Sequence, residues 1–599
     1  FSGDDDLMSE TNNSSTGRWA KRVTTYDNFE FYCSQWKGST TTGTVGCIIF
    51  RWGNGGYFCL TQEKDTGKFR LKERNTHSGN STRQLAYYDG PNNAQPSVKI
   101  ICVGQSIIVE IDGVERMNVT HAYNYSGDFA FWKSGRYNDG NKWYNITYEE
   151  VPLGSWTGAV STDFHDPDNW SGSIMPTASD DIIIPDVTNQ PVVTQAASVN
   201  SAFVHSGADI TISSESLSVA DATNMNGTLI IESGGVFDAN GDFDATGGNV
   251  TFNGGGTLQV SNSTITSFGT LSNDSGTIEF DGATQTIPAE TYHSVKISQS
   301  GTKSLSGDIT VNGDIILSDG ELDVNGNNDI ELIGDMTKTS GTLVNSSSSN
   351  GYLILEATSS ENASQAICGF AAPSISIKKT NSANIDITGD ITANYLWLQS
   401  SNSGTFTIDN NYNIDVDDKI VIAGGTLNII SGSLSTSKNS SSAHELSGGT
   451  LDIDGGTVSF GSPSNSTADL NIDGGTVDIS GGTLNVSDCF DIASGTFTQS
   501  GGTVNVKTNT SADGDGDHKF AMDAGTLNLT GGTMNLLGED DDMNHYSMSI
   551  ASGVTTTSTS AHIISIFTND ASDDEDRFMD LGDASNAIGN LTFDLSGHE

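Results

Sequence analysis

One short phrase, Gly-Gly-Thr-apolar-Asn/Asp-apolar, returns down the last third of the chain in pairs seven residues apart, and few folds tolerate such a repeat. Gly449-Thr450-Leu451 is followed by Gly456-Thr457-Val458, and Gly475-Thr476-Val477 by Gly482-Thr483-Leu484. Gly495-Thr496-Phe497 precedes Gly502-Thr503-Val504, and Gly525-Thr526-Leu527 precedes Gly532-Thr533-Met534. Inside each unit polar and apolar residues alternate: Thr526 and Asn528 point out, Leu527 and Leu529 point in. That is one strand of about five residues, with period two. The flanking glycines tolerate the positive φ of a corner. Two strands and a corner make part of a coil, and the pair recurs every ~20 to 30 residues, the spacing of stacked supersecondary units. One coil cannot bury its own apolar side, so the stack must be the core. The expectation is a right-handed parallel β-helix over residues 193–599.

Composition agrees with such a chain. At 599 residues it is too long for one ordinary core. Only 17% of residues are charged, yet Asp and Glu number 75 against 26 Lys and Arg, for a net charge of -49. Such acidity solubilises a surface and disfavours nucleic-acid partners, whose phosphates it would repel. It also leaves room for carboxylates that collect Ca²⁺. Nowhere do about 20 apolar residues run together, so no membrane-spanning helix is expected. The opening at Phe1 and the repeat-like close at Leu591-Thr592-Phe593 suggest a segment of a longer protein.

Residues 1–152 read differently. They hold 16 of the 26 basic residues and most of the Trp. Short strand-like runs joined by glycine turns (45–52, 57–62, 69–73, 97–103, 106–111 and 127–132) predict an antiparallel β-sandwich of jelly-roll type. Asp112-Gly113 reads as a tight hairpin turn, as does Gly104-Gln105. Cys33 and Cys47 lie symmetrically about the 38–43 turn and could face each other across a hairpin, with Cys59 on the next strand. Disulfide and buried thiol are about equally compatible with this spacing, and the pairing of Cys33, Cys47, Cys59 and Cys102 stays open.

The runs Val-Gly-Cys-Ile-Ile-Phe-Arg-Trp at 45–52, Gly-Tyr-Phe-Cys-Leu at 56–60 and Val-Lys-Ile-Ile-Cys-Val-Gly-Gln-Ser-Ile-Ile-Val-Glu-Ile-Asp-Gly at 98–113 resemble the concanavalin-like/laminin-G-like family. Residues 153–192 carry Ser155-Trp156-Thr157-Gly158-Ala159, then Asp168-Asn169-Trp170-Ser171-Gly172, and Pro176 onward. This Trp/Pro-rich module resembles the one that precedes β-helical repeats in large secreted surface proteins of gliding Bacteroidetes-type bacteria. In physical terms it would cover the open strand edge of the first coil. The resemblance implies secretion, surface location and a role in attachment, with no specific ligand.

Candidate chemistry is sparse. Beyond residue 152 only ten Lys and Arg remain, Arg577 being the sole Arg, which ill suits a lyase for anionic sugars. Asp452, Asp454 and Asp478 alternate with Asn485, Asn505, Asn528 and Asn535 at outward positions, as an outward polar ladder would. The ten histidines are scattered, and no His-Glu-x-x-His or Gly-x-Ser-x-Gly signature occurs. Asp513, Asp515 and Asp517 alternate with glycine and could wrap oxygens round Ca²⁺, although His518 stands where an EF-hand loop has Gly. Trp36, Trp52, Tyr57, Trp132 and Trp143 could stack on pyranose rings or fill a core. Trp52, Asn54, Tyr57 and Trp132 are the best candidates for carbohydrate contact.

The expected function is a non-enzymatic extracellular surface protein, adhesive or structural, with a lectin-like head on a rigid β-helical stalk. Its expected partners are cell-surface or environmental glycans and other copies of itself in a filament. The alternative is a polysaccharide-degrading β-helix enzyme with a carbohydrate-binding module.

Overall fold

The computed structural model is all-β, with no α-helix among the described residues. Before residue 154 it describes the strands together with residues 90, 95–97 and 112–113. From residue 154 it describes all but 172–173, 264, 273–274, 348–349, 358–363, 372, 381, 437–443, 462–468, 508–518, 538–545, 568–576, 583–587, 589 and 595–599. Two compact units divide the chain, Phe1–Gly276 and Thr277–Glu599.

The first unit opens with a sandwich of jelly-roll type built from two antiparallel sheets. The larger runs, in spatial order, through Met8–Ser9, Gly17–Arg22, Asp128–Ser134, Val45–Gly53, Gly56–Glu63, Lys68–Asn75 and Ser81–Asp89. The smaller runs through Val114–Thr120, Ser106–Ile111, Val98–Val103, Phe29–Lys37 and Lys142–Glu150. Period-two alternation sends Phe29, Phe31, Ile48, Phe50, Phe58, Leu60, Ile100 and Val109 into one core between the sheets, which Trp36 joins out of phase with the rest of its strand. At the hairpin from Ile111 to Val114, Asp112 and Gly113 take φ of 54° and 72°. Positive φ at both central residues is what a two-residue turn matching the strand twist requires.

Parallel coils follow, three strands to a coil. Ile182–Ile184, Ala202–Val204, Thr223–Met225 and Phe243–Asp244 stack on one side. Val192–Val193, Asp209–Ile212, Thr228–Glu232 and Asn249–Asn253 form the second, and Ala197–Val199, Ser216–Val219, Val236–Ala239 and Thr257–Val260 the third. Rows such as Ile210, Leu229 and Val250 stack in register and are fully buried.

Residues 154–171 lie along the edge of the first coil. Ser155 bridges Ile183 and Asp163 bridges Val192, both in parallel. Trp156, Phe164 and Trp170 pack beneath: Trp170 meets the other two rings edge-on, at 5.0 and 4.9 Å. Each indole N–H donates to a carbonyl, Trp156 to Asn189 and Trp170 to Phe164, both at 2.7 Å. The edge is thus met by backbone pairing and an apolar plug, which blunts a site of strand addition.

In the second unit the Gly-Gly-Thr phrases become two sides of each coil. Thr450, Thr476, Thr496 and Thr526 stack in register, with Leu451, Val477, Phe497 and Leu527 in the interior row beside them. Val458, Leu484, Val504 and Met534 form the matching buried row on the next side. A third side, Leu470–Ile472, Phe490–Ile492 and Phe520–Met522, carries no glycine motif, and the repeat gave no sign of it. At the corner Gly482 has φ of 63°, and a Cβ there would lie 2.5 Å from the carbonyl oxygen of Gly455 in the coil before. Both the backbone conformation and the coil spacing therefore require glycine.

Candidate functional site

The two outward faces of the sandwich have different fates. On the smaller sheet Ile101 and Ile108, opposite each other in register, pack with Ile183 of the first coil. Glu115 on that side brings Oε2 to 3.8 Å from Nδ1 of His205, a residue only 2% exposed in the second coil. One outward face is therefore spent on docking against the solenoid.

The larger sheet's outward face carries Tyr57. Its ring packs with Cys47, Ile49 and Cys59, and its hydroxyl accepts a hydrogen bond from Arg74 Nη1 at 3.1 Å. The Arg74 guanidinium sits 5.9 Å from the ring centroid. Burial pushes the Tyr57 hydroxyl up, with Arg74 opposing. Along Lys68–Asn75, Phe69 and Leu71 enter the core, so Lys68, Arg70, Lys72 and Arg74 line the outward face. Lys68 pairs with Asp89 at 3.1 Å, and Arg70 donates to the Gln84 carboxamide. An aromatic ring with a fixed guanidinium at its edge can stack on a sugar ring and donate to its hydroxyls. The basic partners of Tyr57 were missed, although the alternation Lys-Phe-Arg-Leu-Lys-Glu-Arg at 68–74 announces them.

Of the other carbohydrate candidates, Trp52 lies in the Val45–Gly53 strand, and Trp132 in Asp128–Ser134 pairs with Cys47. Asn54 and the side chains of Trp52 and Trp132 lie outside the described residues. Trp36 is fully buried, its ring centroid 5.7 Å from that of Trp143, so this pair serves the sandwich interior.

Cys33 and Cys47 do not face each other. The chain crosses from the smaller to the larger sheet between them, so Cys33 lies in the core and Cys47 on the outward face. Cys47 meets Cys59 instead, thiol to thiol; burial and that contact push Cys47 up, while Cys47, Lys72 and Arg74 hold Cys59 down. Burial pushes Cys33 and Cys102 up to about 12, leaving inert thiols.

Asp513, Asp515 and Asp517 fall between Thr503–Lys507 and Phe520–Met522, outside the described residues. Among the described residues, Asp469, Asp488 and Cys489 bring donor atoms within 4.8 Å of one another, and Asp469 already accepts the Cys489 N–H at 3.3 Å. Asp452, Asp478, Thr498 and Asn528 stack in register on the outward face, and the Asn485, Asn505 and Asn535 amides join at 2.9 and 2.8 Å. Stacking has a visible electrostatic consequence: burial, Asp454 and Asp478 together raise the Asp452 carboxyl.

Two carboxylates stand apart from these ladders. Glu331 and Glu356 hydrogen-bond to each other, which raises Glu331 and lowers Glu356, as expected of a shared proton. Lys378 Nζ sits 3.2 Å from Glu356 and the Thr310 hydroxyl 3.2 Å from Glu331.

Comparison with known proteins assigns no activity. Residues 155–275 match the family model "Domain of unknown function (DUF8693)", a stretch that begins at the Trp cap and covers the first coils. No curated protein sequence matches the chain. Among solved structures, the carbohydrate binding module CBM66 from Bacillus subtilis is 13% identical and covers 24% of this chain and 91% of its own, with a TM-score of 0.20. A prokaryotic β-1,3-1,4-glucanase (lichenase) derived from a mouse hindgut metagenome is 14% identical over 24% of this chain and 78% of its own, with a TM-score of 0.20. Sheep galectin-11 in complex with glycerol is 8% identical over 24% of this chain and 100% of its own, with a TM-score of 0.18. The N-terminal strands are similar to these jelly-roll folds.

Proposed function

We propose that the chain is a non-enzymatic extracellular surface protein, a lectin-like domain fixed to a β-solenoid scaffold and used for adhesion. It would belong among the large secreted β-helical surface proteins of gliding Bacteroidetes-type bacteria. The observation that carries this reading is the asymmetry of the sandwich: one outward face is consumed by docking on the first coil, while the other presents Tyr57 with Arg74 at its edge. A glycan microarray probed with the full chain tests it. The wild type should retain a glycan class, and Tyr57→Ala should weaken that retention at least ten-fold; no retention of any glycan would overturn the reading.

The competing reading is a polysaccharide-degrading enzyme, favoured by the Glu331–Glu356 pair. Hydrolysis needs its two carboxyl groups about 5 to 9 Å apart with the sugar between them. These two are in direct hydrogen-bond contact and Lys378 neutralises one, an arrangement that suits a structural pair better.

Calcium at Asp513, Asp515 and Asp517 and self-association into a filament are parts of the same proposal. EDTA should lower the Tm of the full chain if the ion is bound, and an unchanged Tm removes it. Negative-stain electron microscopy should find filaments, and dispersed single particles at all concentrations would remove self-association.

A further inference from the structure

Seven of the eight Trp residues lie before residue 171, and the eighth, Trp397, stands alone in the second unit. It is 41% exposed, whereas Trp36, Trp156 and Trp170 are at most 2% exposed. Its strand, Ile391–Leu398, buries Leu396 and Leu398, so Tyr395 and Trp397 share the outward face, about 6.6 Å apart along the strand. Elsewhere the described outward positions of this unit are mostly polar or charged, with scattered exceptions such as Ile316, Tyr352, Ile354 and Val421, so an exposed indole next to an outward Tyr on one strand is a departure that coil stacking does not require.

The surroundings fix the aromatic pair and set its chemistry. The Tyr395 hydroxyl donates to Asp418 at 2.7 Å, and Gln399 donates to the Ser376 hydroxyl at 2.7 Å beside the indole. Ser376 and Val421 occupy the positions in register with Trp397 on the coils either side, small residues that do not overhang the ring. Both neighbouring cations are neutralised: Lys378 by Glu356 at 3.2 Å and Lys419 by Glu445 at 2.6 Å. Among the described residues a polyanion would therefore find no unpaired positive charge here, within a segment carrying far more acids than bases. What fits is an uncharged ligand with flat apolar faces and a rim of hydroxyls, which is a hexopyranose chain.

We propose that the solenoid face centred on Trp397 is a carbohydrate-binding surface of its own, taking an uncharged polysaccharide by stacking a sugar ring on the indole. It is independent of the sandwich: Tyr57 belongs to the first unit and Trp397 to the second.

The test uses the full chain and four soluble polysaccharides: barley β-glucan, xyloglucan and galactomannan as uncharged probes, alginate as the anionic one. Retardation in polysaccharide-containing native gels gives affinity, and N-bromosuccinimide oxidation read by mass spectrometry gives the exposure of Trp397 in the unaltered protein. At least one uncharged polymer should protect Trp397 from oxidation, and Trp397→Ala should lose at least ten-fold in retardation by that polymer while Tyr57→Ala keeps it. Wild-type retardation of Trp397→Ala by every polymer, or no protection of Trp397 by any, overturns the proposal. So does protection by alginate alone, or protection that rises with protein concentration without glycan, which would make the occupant a second copy of the chain. Loss of glycan-microarray retention in Tyr57→Ala with Trp397 protection intact would leave this proposal standing, and the converse result would leave the sandwich reading standing.

Discussion

Corner glycines are where a single methyl group decides whether two coils can stack. Gly502 has φ of 62°, and an added Cβ would lie 2.4 Å from the Gly481 carbonyl oxygen. Gly553 has φ of 110° but nothing within 4 Å of its added Cβ. Gly553→Ala should therefore cost about 1 kcal/mol, from backbone strain alone. Gly502→Ala should cost ~2–4 kcal/mol, since backbone must also move. Denaturant melts of the two variants measure the difference, and equal losses would mean that coil spacing does not set the corner. Buried histidine gives a second residue-scale test. His444 is fully buried, accepts the Ile420 N–H on Nδ1 at 3.2 Å, and is pushed down to about 4 by burial and then by Lys419. Its folded value lies below the ordinary 6.5, so between those pH values the unfolded chain binds a proton that the folded chain refuses. Its contribution is complete above pH 6.5 and is lost as pH falls toward 4, by about 3 kcal/mol in all. His444→Gln should flatten the fall in stability between pH 7 and 4.5, and a variant with an unchanged slope would contradict this.

Among elements, the short strands divide their labour by face. Leu484 stacks between Val458 and Val504 with no exposure, whereas Asn505 carries an outward amide ladder with Asn485 and Asn535. Leu484→Ala should cost about 2–5 kcal/mol through the cavity it leaves. Asn505→Ala removes exchangeable hydrogen bonds at a half-exposed site and should cost about 0.5–1.5 kcal/mol. Thermal unfolding of both decides it, and the reverse order would refute joint shielding by the coils. Alternation made these strands legible from sequence, because Thr526 to Leu529 writes inward and outward residues in strict turn. The third side escaped notice because Phe490–Ile492 and Phe520–Met522 lack the glycine phrase and are set off by insertions of unequal length. The Cys33–Cys47 expectation failed for a related reason: symmetry about a turn implies a hairpin only if both strands stay in one sheet, and here they separate. Tyr57 could be named from its sequence, but its partner Arg74 became evident only once strand register placed the two side by side. Trp397 is not legible from sequence, since exposure of one ring depends on its neighbours across coils.

Across the whole molecule, charge is distributed as unevenly as the aromatics. Of the 75 acidic residues 17 precede residue 153, leaving 58 beyond it against ten basic ones. The sandwich segment is thus nearly balanced, 17 acids to 16 bases, and the acidity belongs to the coils. Such a surface resists non-specific association and leaves recognition to particular patches. We propose binding, and no reaction, at those patches. Prolonged incubation of the full chain with a polysaccharide it retains, followed by size-exclusion chromatography and mass spectrometry of the soluble sugars, tests that most directly. The polymer should be recovered at its original length with no released oligosaccharide. Progressive shortening that disappears in Glu331→Gln, or in any other single carboxylate substitution, would contradict it.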